Sequence, residues 1–269
     1  MSSPNDSTSA TEMALQETFS WQRGKDFANY NSYLAFYQAK ACLEYARGNS
    51  LLDMPVGDGV LTAMMAGRFS RIVGVDASST HLAEAKARLP GADLHHALIE
   101  DFGSEEKFST ITMLNILEHV EDPVRALRSA ATFLEEDGIL IVHVPNAAAV
   151  NRKIAVLMGT LESCEELSPF DIHVAGHRRS YVMEILKADF DRAGLDVVAT
   201  GGVFYKMLST PQIDWLLKEG PWEEAPFGWG RIGAEPRDWR SEFCRACYEF
   251  GREHPEDCNI IYVCATKRS

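Results

Sequence analysis

A chain of 269 residues, 46% of them hydrophobic, is long enough for one large domain with a full core. Its 26 Lys and Arg against 39 Asp and Glu give a net charge of −13, which argues against a nucleic-acid partner, because binding phosphates calls for a basic patch. No apolar run reaches the length of a membrane span, and the N-terminus lacks the charged-then-apolar plan of a signal peptide. A soluble cytoplasmic protein with no membrane partner is therefore expected. The six cysteines, Cys42, Cys164, Cys244, Cys247, Cys258 and Cys264, are too scattered for a disulfide scaffold, which agrees with a reducing compartment.

Residues 1–18 are rich in Ser, Thr and small polar residues and read as a disordered tail. A helical cap is expected over 19–47, where Phe27, Tyr30, Leu34, Tyr37 and Ala41 recur at three- and four-residue spacing and make one apolar stripe. A short buried strand, 51–54, then runs into Pro55-Val56-Gly57-Asp58-Gly59 and the start of a helix over 59–68. Gly57 and Gly59 suit a tight strand-to-helix reversal, which needs unusual backbone angles and lets a ligand approach where no side chain intervenes. The N–H groups opening the helix would face an anionic group. A second strand, 71–75, ends on Asp76, at about the 20-residue distance from the glycine turn where an acid grips a nucleotide ribose.

The alternation continues with a helix over 79–89, capped by Ser78 or Ser79 and ended by Pro90-Gly91. Strands 93–97 and 108–114 follow. The next helix opens with Asp122 as cap and Pro123 at its first position, where the missing N–H costs nothing. After strand 138–144 the chain is irregular to about 179. A helix over 180–193, closed by Gly194, then precedes a strand over 195–205, and the last strand is 259–265. Strands alternating with helices predict a parallel sheet with right-handed crossovers and a ligand at the carboxyl ends, where the strand order reverses. The segment 206–258 is too long for a plain loop and holds Trp215, Trp222, Trp229 and Trp239. It reads as a lid or acceptor subdomain, with a small helical core of its own or a homodimer contact as the alternative.

Three further stretches sharpen the reading: Glu100-Asp101-Phe102, the run from Phe108 to Val120 followed by Asp122-Pro123, and Gly138 to Asn146. Together with the glycine turn they resemble class I S-adenosylmethionine-dependent methyltransferases, and Leu117-Glu118-His119-Val120 is similar to the ubiquinone-biosynthesis type. The resemblance is carried by residues 48–147, weakens to about 205 and is absent over most of 206–258. It implies a Rossmann-like, doubly wound α/β fold with a seven-stranded, mostly parallel sheet and an antiparallel last strand, built from 48–205 and 259–269. The implied cofactor is S-adenosyl-L-methionine, leaving as S-adenosyl-L-homocysteine. The family usually has Asp-x-Gly-x-Gly-x-Gly. Here Pro55 stands in place of the first glycine, and the two later ones remain. By resemblance, Asp53 and the turn of Pro55, Gly57 and Gly59 hold the methionine end, and Asp76 with Ala77 takes the ribose. Asp101 meets the adenine amino group with Phe102 beside the ring, and Asn115 to Leu117 line the methionine side.

Methyl transfer is an in-line displacement that needs the acceptor atom about 3 Å from the methyl carbon, and a base where the acceptor carries a proton. Histidine suits that base near neutral pH. His173 and His177, in the loop 171–181, come first as candidates, and His119, just past the fourth strand, second; His143 lies inside a strand and reads as a core residue. N-terminal helices of the family often close over the cofactor, which makes Tyr30, Tyr33 and Tyr37 candidates for ligand contact, and Arg178 a candidate for an acidic acceptor group. Cys244-x-x-Cys247 with His254 and Cys258 departs from standard zinc spacing and falls on a helix, so no metal is expected. The reading is O- or N-methylation of a small, aromatic or apolar metabolite. The alternatives are C-methylation, a nicotinamide-dependent oxidoreductase and a non-catalytic cofactor-binding partner protein.

Overall fold

The computed structural model describes residues 4–18, 27–222 and 237–268. Seven strands form one sheet: β1 (Ser50–Asp53), β2 (Arg71–Asp76), β3 (Asp93–His96), β4 (Phe108–Leu114), β5 (Leu134–Pro145), β6 (Leu195–Tyr205) and β7 (Cys258–Lys267). Their order is β3-β2-β1-β4-β5-β7-β6. The pairs among β1 to β5 are parallel, whereas β7 runs antiparallel to both β5 and β6. The sheet grows from β1 toward β3 and then from β4 the other way, so the carboxyl ends of β1 and β4 flank the reversal. Because β6 pairs antiparallel with β7, it points the same way as β5, and its own carboxyl end reaches the same edge.

The core follows from period-two alternation on a sheet buried on both faces. Leu52, Leu140, Val142, Val144, Ile261, Val263 and Ala265 pack on one side with Leu127 of α5 (Pro123–Thr132) and Phe190 of α7 (Met183–Ala193). Leu51, Ile139, Ile141, Ile260, Tyr262 and Cys264, their neighbours in sequence, pack on the other side. That side is covered by α2 (Ala28–Tyr45), α3 (Val60–Met65), α8 (Thr210–Glu219) and α9 (Trp239–Glu253). Each buried leucine or isoleucine contributes about 1.5–3 kcal/mol relative to exposure. His143 shares the second face and is fully buried, between Gln38 Nε2 at 3.3 Å and Cys42 Sγ at 3.6 Å. Burial lowers its pKa to about 3, so it is a neutral core residue.

Local signals placed several boundaries. Asp122 accepts from the N–H groups of Val124 and Arg125, with Pro123 at the first position of α5, a cap worth about 1 kcal/mol. Ser78 caps α4 (Ser79–Arg88), and Gly194 closes α7 at φ 81°. Gly59 begins α3 at φ 80°, and a Cβ there would stand 3.0 Å from the Ala85 Cα of α4. This glycine answers to helix packing rather than to a ligand.

Two segments differ from the sequence reading. Residues 4–18, expected as disordered tail, form helix α1 (Pro4–Thr18). Tertiary partners hold it: Glu12 bonds Arg178 at 2.8 Å, Glu17 bonds the Thr80 hydroxyl at 2.6 Å and Ser9 bonds Asp101 at 2.6 Å. The stretch expected to be irregular contains α6 (Val150–Leu157) and a single π-helical turn over Asp171–Ala175. Within 206–258, α8 packs on α2 and α9 on β6. Cys244 and Tyr248 of α9 enter the core, and Trp222 is buried with its Nε1 donating to the Leu216 carbonyl at 2.9 Å. Trp215 is exposed, and Trp229 lies outside the described residues.

Candidate active site

A cavity of about 910 Å³ opens along the carboxyl edge of the sheet, toward the upper end of the roughly 300–1,000 Å³ usual for small-molecule sites. One end is built by the turns after β1, β2 and β3. Gly57 has φ 55°, and nothing lies within 4 Å of where its Cβ would stand, so the backbone faces open space. Its N–H donates to Asp76 Oδ2 at 2.8 Å, while Asp76 Oδ1 accepts from the Ser78 N–H at 2.8 Å. Asp101 stands farther along this wall, with Arg125 at 3.9 Å. Asn115, directly after β4, has φ 54° and donates its N–H to the His143 carbonyl at 2.8 Å. A left-handed residue other than glycine costs roughly 1 kcal/mol and clusters at functional sites.

The middle of the cavity carries the acid–base groups. Glu118 is 2% exposed, and His119 Nε2 lies 3.7 Å from its carboxylate. His119 Nδ1 is 3.2 Å from the Gly176 carbonyl, which makes that nitrogen the donor. The His119 and His177 rings meet edge to face at 4.9 Å. His177 Nδ1 lies 3.7 Å from Asp171 Oδ1, and Arg152 bonds the other oxygen of Asp171 at 3.2 Å. Burial holds His177 below the ordinary histidine pKa; Asp171 opposes this and Arg152 reinforces it. A partly buried, neutral imidazole beside a carboxylate can accept a proton. Among the described residues, Glu118, His119 and His177 also form a group whose ligating atoms fall within 4.8 Å of one another, a spacing that would admit a cation. Among the described residues Cys244 and Cys247 join no such group. Burial pushes Cys247 up to about 12, so its thiol stays protonated.

Of the residues singled out from the sequence, Tyr30, Pro55, Gly57, Asp76, Ala77, Asp101, Asn115, His119 and His177 line this one cavity. The others are placed elsewhere for identifiable reasons. Asp53 is 1% exposed and accepts from the Thr62 and Thr112 hydroxyls, the latter at 2.7 Å. Leu117 is fully buried in the core, and Phe102 packs against Phe133 at 5.1 Å and His95 at 5.2 Å. Tyr37 stacks on Tyr248 of α9 at 4.6 Å, and the Tyr33 hydroxyl meets Ser241 at 3.0 Å, so α9 occupies both rings. Arg178 is tied to Glu12, and His173 is exposed on the outer side of its turn. The cavity also brings in Gln38, Glu118, Arg152, Asp171 and Lys206, which the sequence reading did not select. Glu118 and Asp171 adjoin or share a turn with candidate histidines and so carried a signal. Lys206 carried only its place, one residue past a strand end.

The sheet order, the antiparallel seventh strand and a cavity at the switch point define the class I S-adenosylmethionine-dependent methyltransferase fold. Residues 27–200 match the model of a methyltransferase domain family, and the chain belongs to that family. It is 31% identical over 112 residues to a ubiquinone biosynthesis O-methyltransferase of Glaesserella parasuis serovar 5 (strain SH0165), which covers 38% of this chain and 48% of that one. The chain thus spans about half the length of the curated relatives it first matches. Among solved structures, a methyltransferase from Thermotoga maritima described as a possible histamine N-methyltransferase matches with TM-score 0.57 at 14% identity, over 93% of this chain and all of that one. An S-adenosylmethionine-dependent methyltransferase from Clostridium acetobutylicum matches with TM-score 0.52 at 13% identity, covering 88% of this chain and 92% of that one. Both share the fold. No helix among the described residues is long and apolar enough to cross a membrane.

Proposed function

We propose that the protein transfers a methyl group from S-adenosylmethionine to an oxygen or nitrogen atom of a small aromatic or apolar acceptor. The residues at one end of the cavity fit the cofactor. The open Gly57 backbone lets a ligand approach, Asp76 can accept from both ribose hydroxyls, and Asp101, which lines the same cavity, can accept from an adenine amino group. Asp53 acts behind this wall, holding β1 to β4 through Thr112 and to α3 through Thr62. The cofactor supplies an electrophilic methyl group on a sulfonium.

The protein's part is then to hold the acceptor and remove its proton. His177 takes that proton, with Asp171 orienting the ring and stabilising the imidazolium as it forms. His119 positions His177 through their edge contact. The observation that carries this reading is the His119–His177 pair beside buried Glu118, in the same cavity as Asp76 and Gly57. The start of α8 acts as part of the acceptor-side wall, because its cap Ser209 and its residues Thr210 and Pro211 line the cavity.

The test is calorimetric binding of S-adenosylmethionine, S-adenosylhomocysteine and NAD, followed by measuring S-adenosylhomocysteine release with a panel of phenols and amines. Binding of the first two with acceptor-dependent release supports the proposal. Binding of NAD alone overturns it.

A further inference from the structure

The β6 side of the cavity carries a group that the methyl-transfer chemistry does not use. Lys206 is 4% exposed and lines the cavity one residue beyond β6, at the edge where β1, β4 and β5 also end. Its Nζ donates to the Thr210 hydroxyl at 2.9 Å and stands 4.6 Å above the Tyr30 ring. Among the described residues no carboxylate lies within ion-pair distance of it, whereas the other cavity cations are engaged, Arg152 by Asp171 and Arg125 near Asp101. The Tyr30 hydroxyl, buried in the same wall, has no hydrogen-bond partner among the described residues. A buried ammonium and a buried unpaired hydroxyl each cost free energy unless something occupies them.

The backbone is shaped to present this group. Phe204 has φ 67°, an outlier for a bulky residue. Strand alternation breaks there, since Val203 and Phe204 both pack on the α2 side. Local strain of this kind persists where the surroundings over-determine it, commonly at ligand sites.

We propose that Lys206, with the hydroxyls of Tyr30 and Thr210, forms a subsite for a carboxylate at the distal end of the acceptor. The inference rests on the methyl-transfer reading and names its substrate class. One ammonium and two hydroxyl donors match a monovalent carboxylate; a phosphate dianion would leave charge unbalanced in a buried site. Burial lowers the Lys206 pKa to about 7, and an anion in contact would draw the amine back to its charged form. Asp171 lies 3.7 Å from His177 and, with Arg152, also acts electrostatically on Lys206. The acceptor is therefore small, its reacting atom near His177 and its carboxylate at Lys206 in the same cavity.

The experiment is calorimetry at pH 7 on the full chain saturated with S-adenosylhomocysteine. The probes are 3-(4-hydroxyphenyl)propionate, its uncharged amide and the corresponding 3-(4-hydroxyphenyl)propylamine. We expect the carboxylate to bind at least tenfold more tightly than the amide, and the amine more weakly than either. Lys206→Met should bring the carboxylate to the affinity of the amide while leaving S-adenosylhomocysteine binding intact, and Tyr30→Phe should lower the carboxylate preference severalfold. Equal binding of the three probes to the unaltered protein, binding of none of them, or a preference that survives Lys206→Met overturns the subsite. Failure of S-adenosylhomocysteine to bind overturns the methyl-transfer reading instead, so the two failures are read separately.

Discussion

His119, from the turn after β4, and His177, from just beyond the π-helical turn, place their rings edge to face at 4.9 Å and 76°. This contact joins two segments of the chain that the sequence presents as separate candidates, and it puts both beside Glu118. If His177 is the base, His177→Ala should slow turnover by about 10²- to 10⁴-fold while S-adenosylmethionine affinity, read by calorimetry, stays as it was. Because burial holds its pKa below the usual value, activity should persist at pH 7 and fall only on the acid side of 6.5. Full activity in the variant across that range would remove His177 from the role.

Treatment with EDTA separates acid–base work from a cation at the same place. The proposed mechanism expects turnover to be unchanged. Loss of activity restored by a divalent metal would reassign Glu118, His119 and His177 as its ligands.

Asp76→Ala should weaken S-adenosylmethionine binding by about tenfold or more, since hydrogen bonds to a charged group contribute about 1.5–3 kcal/mol. It also removes the acceptor from the Gly57 N–H. Unchanged affinity by calorimetry would remove Asp76 from the ribose role.

Gly59→Ala tests the distinction between the two glycines of the turn. At Gly59 a Cβ meets Ala85 of α4 and the φ of 80° is left-handed, so a loss of about 2 kcal/mol or more in denaturant stability is expected. At Gly57 the space is open, and Gly57→Ala should cost about 1 kcal/mol of stability. That substitution should act mainly on cofactor affinity, where the Cβ enters the cavity. Equal effects of both substitutions on affinity would show that the turn acts as one unit.

The pH dependence of stability should carry the mark of His143. Its folded pKa is about 3 against an ordinary value of 6.5, so between these values the unfolded chain binds the extra proton. Its contribution is whole above 6.5 and declines as pH falls toward 3. Urea midpoints followed over that range should drop steadily from this residue, and His143→Leu should flatten that part of the profile while lowering stability at pH 7 by removing one of the two side-chain partners of Gln38 Nε2.

What was legible in the sequence is what depends on near neighbours. Strands alternating with helices from Leu51 to Val144 specified a parallel sheet, and Asp122-Pro123 and Gly194 marked helix ends by chemistry local to each turn. The glycine turn and Asp76 were readable because their spacing follows from one strand–helix–strand unit, and the structure joins them by the Gly57–Asp76 hydrogen bond. What only the tertiary structure decided depends on residues far apart in the chain. Helix α1 reads as polar tail because Arg178, Thr80 and Asp101, which hold it, lie more than sixty residues away. Tyr33 and Tyr37 belong to α9 rather than to the cavity because that helix, from the segment with no family likeness, packs over them. Lys206 was invisible for the same reason: a lysine after a strand is ordinarily solvated, and its burial against Tyr30 and Thr210 exists only once α2, β6 and α8 have come together.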